Sequence, residues 1–188
     1  MTQKIEFFYD VLSPYSYLAF CRLQGMAKRL KTELELRPVS MPRLHEITGN
    51  TPPALVVARL AYVKKDIDAL GRYYGIPVQW PKLFPCRTGR AMSVLTLVEG
   101  GERLQLTRQL FSAYWVEGLD IGEPEVLASI VGEGLLTAAA EPSVREQLQS
   151  TTDEAAKRGA FGVPTCFVGE HMFFGNDRLF MLQVHMNR

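Results

Sequence analysis

The segment FYDVLSPYSYLAF, residues 8–20, restricts the fold more than any other stretch of this 188-residue chain. It joins a β-rich run, Ile5 to Asp10, to a helical pattern with almost nothing between them. Pro14 stands at a first-turn position, where its missing N–H is no loss and its φ is already helical. Ala19, Leu23, Met26, Ala27 and Leu30 then recur on one helical face. Ser13 therefore sits at a helix start, where unpaired backbone N–H groups and the positive end of the helix dipole favour an anion or a thiolate. Ser13 and Ser16 occupy the two positions at which a redox loop of this shape carries a cysteine pair. The loop keeps a scaffold for sulfur chemistry but brings no sulfur of its own.

The pattern changes twice beyond this point. In ELELRPVS, Leu34 and Leu36 alternate with charged neighbours and predict a second strand with one buried face, which completes a βαβ start. From about Arg43 the β signals vanish, and helical periodicity with proline and glycine punctuation takes over. Helices are predicted over Ala54 to Tyr74, Gly89 to Glu99 and Arg103 to Glu117, the last stopped by Gly118. Pro124 and Pro142 mark two further helix starts, and Gly159 closes the second of them. Alternation returns in Thr165 to Val168 and His171 to Phe174, two strands around a Gly169–Glu170 turn, and Asp177 opens a final amphipathic segment. The expected class is α/β. A discontinuous sheet-bearing unit, 1–42 and 160–188, surrounds an all-helical insertion, 43–159.

Composition narrows the function. An apolar fraction of 47% supports a sizeable core, and a net charge of +1 with scattered Lys and Arg gives no basic stripe for nucleic acid. No apolar run reaches the roughly 18 to 20 residues of a membrane span. The N-terminus enters a strand without the parts of an export signal, so a cytoplasmic location is expected. Cys21, Cys86 and Cys166 are odd in number and far apart, which argues against a disulfide framework. His45, His171 and His185 lack ligand spacing, so no metal site is expected.

GVPT, residues 162–165, supplies the second diagnostic. Strand, helix and strand, then a helical block, then hairpin and helix, is the order of a thioredoxin-type fold interrupted by a helical insertion. In that fold a proline entering this strand is cis and faces the start of the first helix. Val163 then offers its backbone N–H and C=O to an extended peptide. FYDVLSPYSYLAF, GNTPPALVVARLAYVKKD, YYGIPVQWPKLFP, GVPTCFVG and FFGNDRL, in this order and spacing, resemble the 2-hydroxychromene-2-carboxylate isomerases and the related kappa-class glutathione transferases. The resemblance runs nearly end to end. It implies a DsbA-like thioredoxin fold, a homodimer and bound glutathione.

The resemblance also implies roles for single residues. Ser13 matches the catalytic serine, whose hydroxyl donates to the glutathione sulfur; helix capping is the plain alternative. Val163 and Pro164 form the peptide-binding edge. Asn50 matches a contact to the peptide part of glutathione, although asparagine is also a common turn residue. Arg59 stands where the family usually has a lysine for the glycine carboxylate, so the charge is kept with a different reach. Asn176 and Asp177 match the positions that hold the γ-glutamyl end, with Arg178 a weaker candidate beside them. Tyr15, Trp80, Phe84 and Pro85 are candidate walls for a small aromatic carboxylate substrate, and core packing is their alternative use. Arg87 and Arg90 are weak candidates for its carboxylate.

The implied reaction interconverts 2-hydroxychromene-2-carboxylate and trans-o-hydroxybenzylidenepyruvate in aromatic hydrocarbon catabolism of the naphthalene-degradation type, with glutathione as catalyst. A kappa-type transferase or peroxidase that consumes glutathione is the first alternative, and a non-catalytic glutathione- or ligand-binding module the second. A dithiol oxidoreductase is disfavoured because Ser13 and Ser16 leave no redox pair. Ala69 replaces an arginine frequent in the family, which points to a different second pocket.

Overall fold

The computed structural model describes residues 4–187. Its centre is a four-stranded sheet in the order β2-β1-β3-β4, formed by β1 (Ile5–Tyr9), β2 (Leu34–Pro38), β3 (Thr165–Val168) and β4 (His171–Phe174). β1 and β2 are parallel, with Ile5 opposite Leu34. β3 runs antiparallel to β1, with Phe7 opposite Cys166, and β4 antiparallel to β3, with Val168 opposite His171. The helix α1 (Pro14–Leu30) makes the crossover between β1 and β2. The chain thus pairs its first strand with residues about 160 positions later.

Side-chain alternation sends β1 to two cores. Ile5, Phe7 and Tyr9 share one cluster with Cys166, Val168 and α1, which also takes in the helices α4 (Gly89–Leu97), α5 (Gly100–Trp115) and α6 (Pro124–Val131). Phe111 of α5 meets Tyr9, Tyr17 and Phe20 at ring-centroid distances of 5.9, 5.6 and 5.3 Å. Phe8 and Phe167 face the other way and pack with Val39, Leu44, Ala155, Ala160 and Val163. That second face is covered by α2 (Met41–Thr48) and α8 (Pro142–Lys157). Burial on both faces explains why IEFFY reads as a nearly continuous apolar run rather than an alternating one. Its single charge, Glu6, is compensated by Arg158 at 2.7 Å and Arg37 at 3.2 Å, and Arg37 also reaches Glu35 and Glu154.

Helix ends follow local chemistry. Ser13 caps α1 and Ser40 caps α2, each accepting a backbone N–H three residues on. α2 begins at Met41, ahead of the Arg43 at which the helical pattern was expected to start. Pro53–Leu55 forms a 3₁₀ turn, so α3 (Val57–Tyr74) begins three residues later than the expected Ala54. A short α7 (Glu133–Ala138) follows α6, and Gly159, at φ +96°, ends the α8 segment. The final segment departs from expectation. Asn176–Arg178 is a 3₁₀ turn, and α9 (Leu179–Met186) starts after it. Leu179 and Leu182 are buried while Phe180, Met181 and Val184 are exposed, so α9 is apolar on both sides rather than amphipathic.

Candidate functional site

Ser13 is nearly buried at the head of α1, with φ −84° and ψ 118°. Its Oγ accepts the Ser16 N–H at 3.2 Å, and its hydroxyl donates to the Val163 carbonyl at 3.3 Å. The Val163–Pro164 peptide is cis. The proline loop therefore faces the start of α1, 150 residues away in sequence. Ser16 is fully buried and serves the turn through its main chain.

The chain offers no thiol at this turn. All three cysteines are free. Cys86 is buried, which pushes its thiol up to about 11, and burial likewise raises Cys166 and the half-buried Cys21. A thiolate at the Ser13 turn has to come from a ligand.

Asp10 holds the turn from beneath, and sequence reasoning missed it. Its carboxylate accepts the N–H of Leu12 and the N–H of Met41, each at 3.0 Å, together with the Thr88 hydroxyl. Its carbonyl accepts the Ser13 N–H at 3.0 Å. One fully buried side chain thus ties the Ser13 turn to the starts of α2 and α4. Burial pushes its pKa up, against the pull of those three hydrogen bonds. The signal was present in the order Asp-x-Leu, an Asx turn in which the side chain accepts an N–H two residues on.

The aromatic candidates connect to the same turn through Trp115, a buried residue at the end of α5 that no sequence motif marks. Its indole N–H donates to the Val11 carbonyl at 2.8 Å. Trp80 and Phe84 pack on its ring at 5.5 and 6.0 Å and on each other at 4.8 Å. Lys64 lies 5.1 Å over Trp80. Pro85 is exposed and follows a second cis peptide. Tyr15 donates to the Asp66 carboxylate at 2.7 Å; burial raises its pKa, and Asp66 and Asp177 add to the rise.

The last turn closes the site on another side. Gly175 donates to the Pro164 carbonyl at 2.9 Å and has φ +96°. That conformation favours glycine, and a Cβ there would also displace the Asp177 carboxylate, which lies 2.5 Å from its position. Asn176 is 2% exposed, and both its carbonyl and its Oδ1 accept from Arg22. Asp177 and Arg178 are exposed and pair with each other at 2.9 Å. Asn50 is exposed, donates to the Phe161 carbonyl at 2.7 Å, and receives the Thr51 N–H. A Cβ on Gly162 would crowd Phe174 at 3.1 Å and Asn50 at 3.5 Å, so this glycine lets both approach the proline loop.

The fold joins Ser13, Val163, Pro164, Asn50, Asn176 and Asp177 through the proline loop and the bonds that radiate from it. Trp80 and Phe84 join by way of Trp115, and Tyr15 lies two residues past Ser13. Arg59 is not drawn in. It is exposed near the start of α3 and has no hydrogen bond or ion pair among the described residues. Arg87 and Arg90 are exposed as well. His171 and His185, distant in sequence, meet with ring centroids 4.3 Å apart.

A buried hydroxyl at a helix start, opposite a carbonyl on a cis-proline edge, can hold the thiol of an extended peptide and lower its pKa. The DsbA-like thioredoxin domain matches residues 4–187. This chain belongs to that family. The DsbA-like chain is 35% identical to human glutathione S-transferase kappa 1, over 97% of its own length and 90% of the relative's. It is 32% identical to the 2-hydroxychromene-2-carboxylate isomerase of Pseudomonas putida, over 98% and 94%. A solved structure of 2-hydroxychromene-2-carboxylate isomerase matches it with a TM-score of 0.86 at 30% identity, covering 98% of this chain and 94% of the other. Within the family it stands with these isomerases and kappa transferases, and it is an enzyme.

Proposed function

We propose that this enzyme is a glutathione-dependent isomerase that interconverts 2-hydroxychromene-2-carboxylate and trans-o-hydroxybenzylidenepyruvate, or a closely related aromatic catabolite. The carrying observation is the Ser13 hydroxyl, 3.3 Å from the Val163 carbonyl across the proline loop, in a turn without cysteine. Glutathione fits the residues present, because its peptide needs a β-like edge, its thiol a donor, its glycyl carboxylate a cation, and its zwitterionic γ-glutamyl end an acidic and a basic group. Val163 and Pro164 are the edge, Asn50 serves the peptide part and Arg59 the glycine carboxylate, and Asp177 with Arg178 serves the γ-glutamyl end; Asn176, expected to bind there too, is buried against Arg22 and shapes the turn instead.

Bound glutathione supplies a nucleophilic sulfur whose reversible addition to a conjugated carbon turns a double bond into a rotatable one. Ser13 readies that sulfur. Once the Val163 carbonyl accepts a ligand N–H, the serine hydroxyl is released and can turn its proton to the sulfur. Together with the head of α1, this lowers a thiol pKa from its ordinary value of about 8.5. Tyr15, Trp80, Phe84 and Pro85 confine the aromatic substrate, with Trp115 fixing Trp80 and Phe84 against the turn.

A spectral assay with hydroxychromene carboxylate, with and without glutathione, tests the proposal. Activity that requires glutathione, leaves the thiol titre constant and collapses in Ser13→Ala is the expected result. A falling thiol titre would favour the kappa-type transferase or peroxidase, a reading motivated by the 35% identity to the human enzyme. Absence of glutathione binding together with an inert Ser13→Ala substitution would leave a non-catalytic binding module.

The same reading takes 1–42 and 160–188 as the thioredoxin-like unit and 43–159 as the helical insertion that supplies Asn50, Arg59 and, with Tyr15 of the first unit, the aromatic wall. A homodimer is part of it. Leu55 and Val57, exposed at 73% and 86% ahead of and within the first turn of α3, support burial against a second copy, which light scattering would detect. A cytoplasmic location is also part of the reading; no described helix is long and apolar enough to cross a membrane.

A further inference from the structure

The turn that carries Asp177 is gripped from α1 by a residue outside every recognised motif. Arg22 lies on the helix that starts beside Ser13, about two and a half turns on. Its Nη1 donates to the Asn176 carbonyl at 2.7 Å and to the Asn176 Oδ1 at 2.8 Å. Its guanidinium lies over the Tyr74 ring at the end of α3, 4.1 Å from the centroid. Asn176 is almost wholly buried, so its two acceptors are out of water, where a charge-assisted bond is roughly twice as strong as a neutral one.

This contact changes what Asn176 can do. Its Oδ1 is taken by Arg22, and its Nδ2 is buried with no partner among the described residues. The side chain therefore faces the protein. Asp177, the next residue, keeps an exposed carboxylate. Gly175 is fastened to Pro164 and Asn176 to Arg22, so both residues before Asp177 are fixed.

We propose that Arg22 is a positioning residue that sets the Asn176–Asp177 turn for the γ-glutamyl end of the cofactor, and thereby gives the site its preference for γ-glutamyl thiols. The proposal rests on the glutathione reading above. Without the guanidinium, two buried acceptors lose their donor, and the turn must swing toward water to satisfy them. Asp177 then has to be ordered at the moment of binding, a cost that falls only on ligands with a glutamyl ammonium to place. Gly175 keeps its own bond to Pro164 and Ser13 makes no contact with Arg22, so the sulfur end is spared.

The test compares two thiols on the intact protein by calorimetry: glutathione, and cysteinylglycine, which lacks the γ-glutamyl group. Wild type should bind glutathione at least tenfold more tightly. Arg22→Met keeps an apolar stem against Tyr74 and removes the donor. It should weaken glutathione at least tenfold, leave the cysteinylglycine Kd within twofold, and leave kcat at saturating glutathione within twofold. Arg22→Lys should fall between, because a point charge retains a donor but loses the flat contact with Tyr74. Equal losses for both thiols, or an unchanged glutathione Kd, would overturn the proposal. Should Arg22→Met not fold, Arg22→Lys is read by the same criteria with a smaller loss. A wild-type protein that does not prefer glutathione would bring down the glutathione reading itself, visible before any variant is made.

Discussion

The two ends of the candidate site are built in opposite ways. Around Ser13, the groups are buried and bonded through short main-chain links: Asp10 beneath, Val163 opposite, Trp115 behind. At the charged ends, Asp177 and Arg178 hold only each other at the surface, and Arg59 stands free of any bond among the described residues. The difference separates two tasks. Chemistry needs preorganised donors, which lose their value if they must reorganise as charge develops. Capture of the ends of a flexible peptide tolerates long exposed side chains that order on contact, each contributing about 1 kcal/mol or less. Substitutions at the buried end should therefore change turnover or folding, and those at the exposed end should change affinity.

The sharpest test of this contrast is Ser13→Ala. Loss of a preorganised donor should cost about 100-fold in kcat, or ~2.7 kcal/mol, while loss of the helix cap costs stability by only ~1 kcal/mol. Steady-state kinetics beside thermal melts separates the two, and a drop confined to KM would erase the contrast.

Asp10→Asn comes next, with a stability loss of about 1 to 3 kcal/mol, because an amide turns a donor toward the N–H of Leu12 or Met41. Its pH dependence has a definite sign. Burial raises the folded pKa of Asp10 above the unfolded value, so the folded state binds the extra proton. The advantage of wild type over the variant should be full below the unfolded value of about 4 and shrink as pH rises through the folded one. Urea midpoints across pH 3 to 8 measure it; an advantage that grows with pH would show that Asp10 is held ionised.

Gly175→Ala should follow, since φ +96° and a contact at 2.5 Å force either the turn or the Asp177 carboxylate to move. We expect a stability loss of about 1 to 2 kcal/mol and a glutathione Kd raised several-fold. Smallest is Arg59→Ala, with a KM for glutathione raised up to about fivefold, kcat unchanged, and the difference removed by half-molar salt. A large effect on kcat would move Arg59 from the exposed end to the reacting one.

What could be read in the sequence sorts along the same line. β3 and β4 fall at the expected residues because alternation and the Gly169–Glu170 turn are local signals. α8 starts at Pro142 as expected, for the same kind of reason. Ser13 and Pro164 were legible because a helix start and a proline before a strand each have a local mark. α2 was not seen as a separate helix: eight residues behind a serine cap give too short a pattern for periodicity. Asp10, Arg22 and Trp115 were overlooked as site residues for a different reason. The Asp-x-Leu turn marks Asp10 only as a turn residue; its link to Met41, like those of Arg22 to Asn176 and Trp115 to Val11, crosses between elements, and no spacing along the chain announces a hydrogen bond across as many as 154 positions.

The indole of Trp115 also makes the molecule its own reporter. The chain has two tryptophans, and they lie with ring centroids 5.5 Å apart beside the Ser13 turn. Because the Trp115 N–H rests on the Val11 carbonyl, any displacement of the turn on ligand capture alters the polarity seen by the excited ring. Emission recorded in a stopped-flow mixer would thus time the closing of the sulfur end without any attached dye. Trp80→Phe would leave a single emitter, fixed to the carbonyl two residues before Ser13.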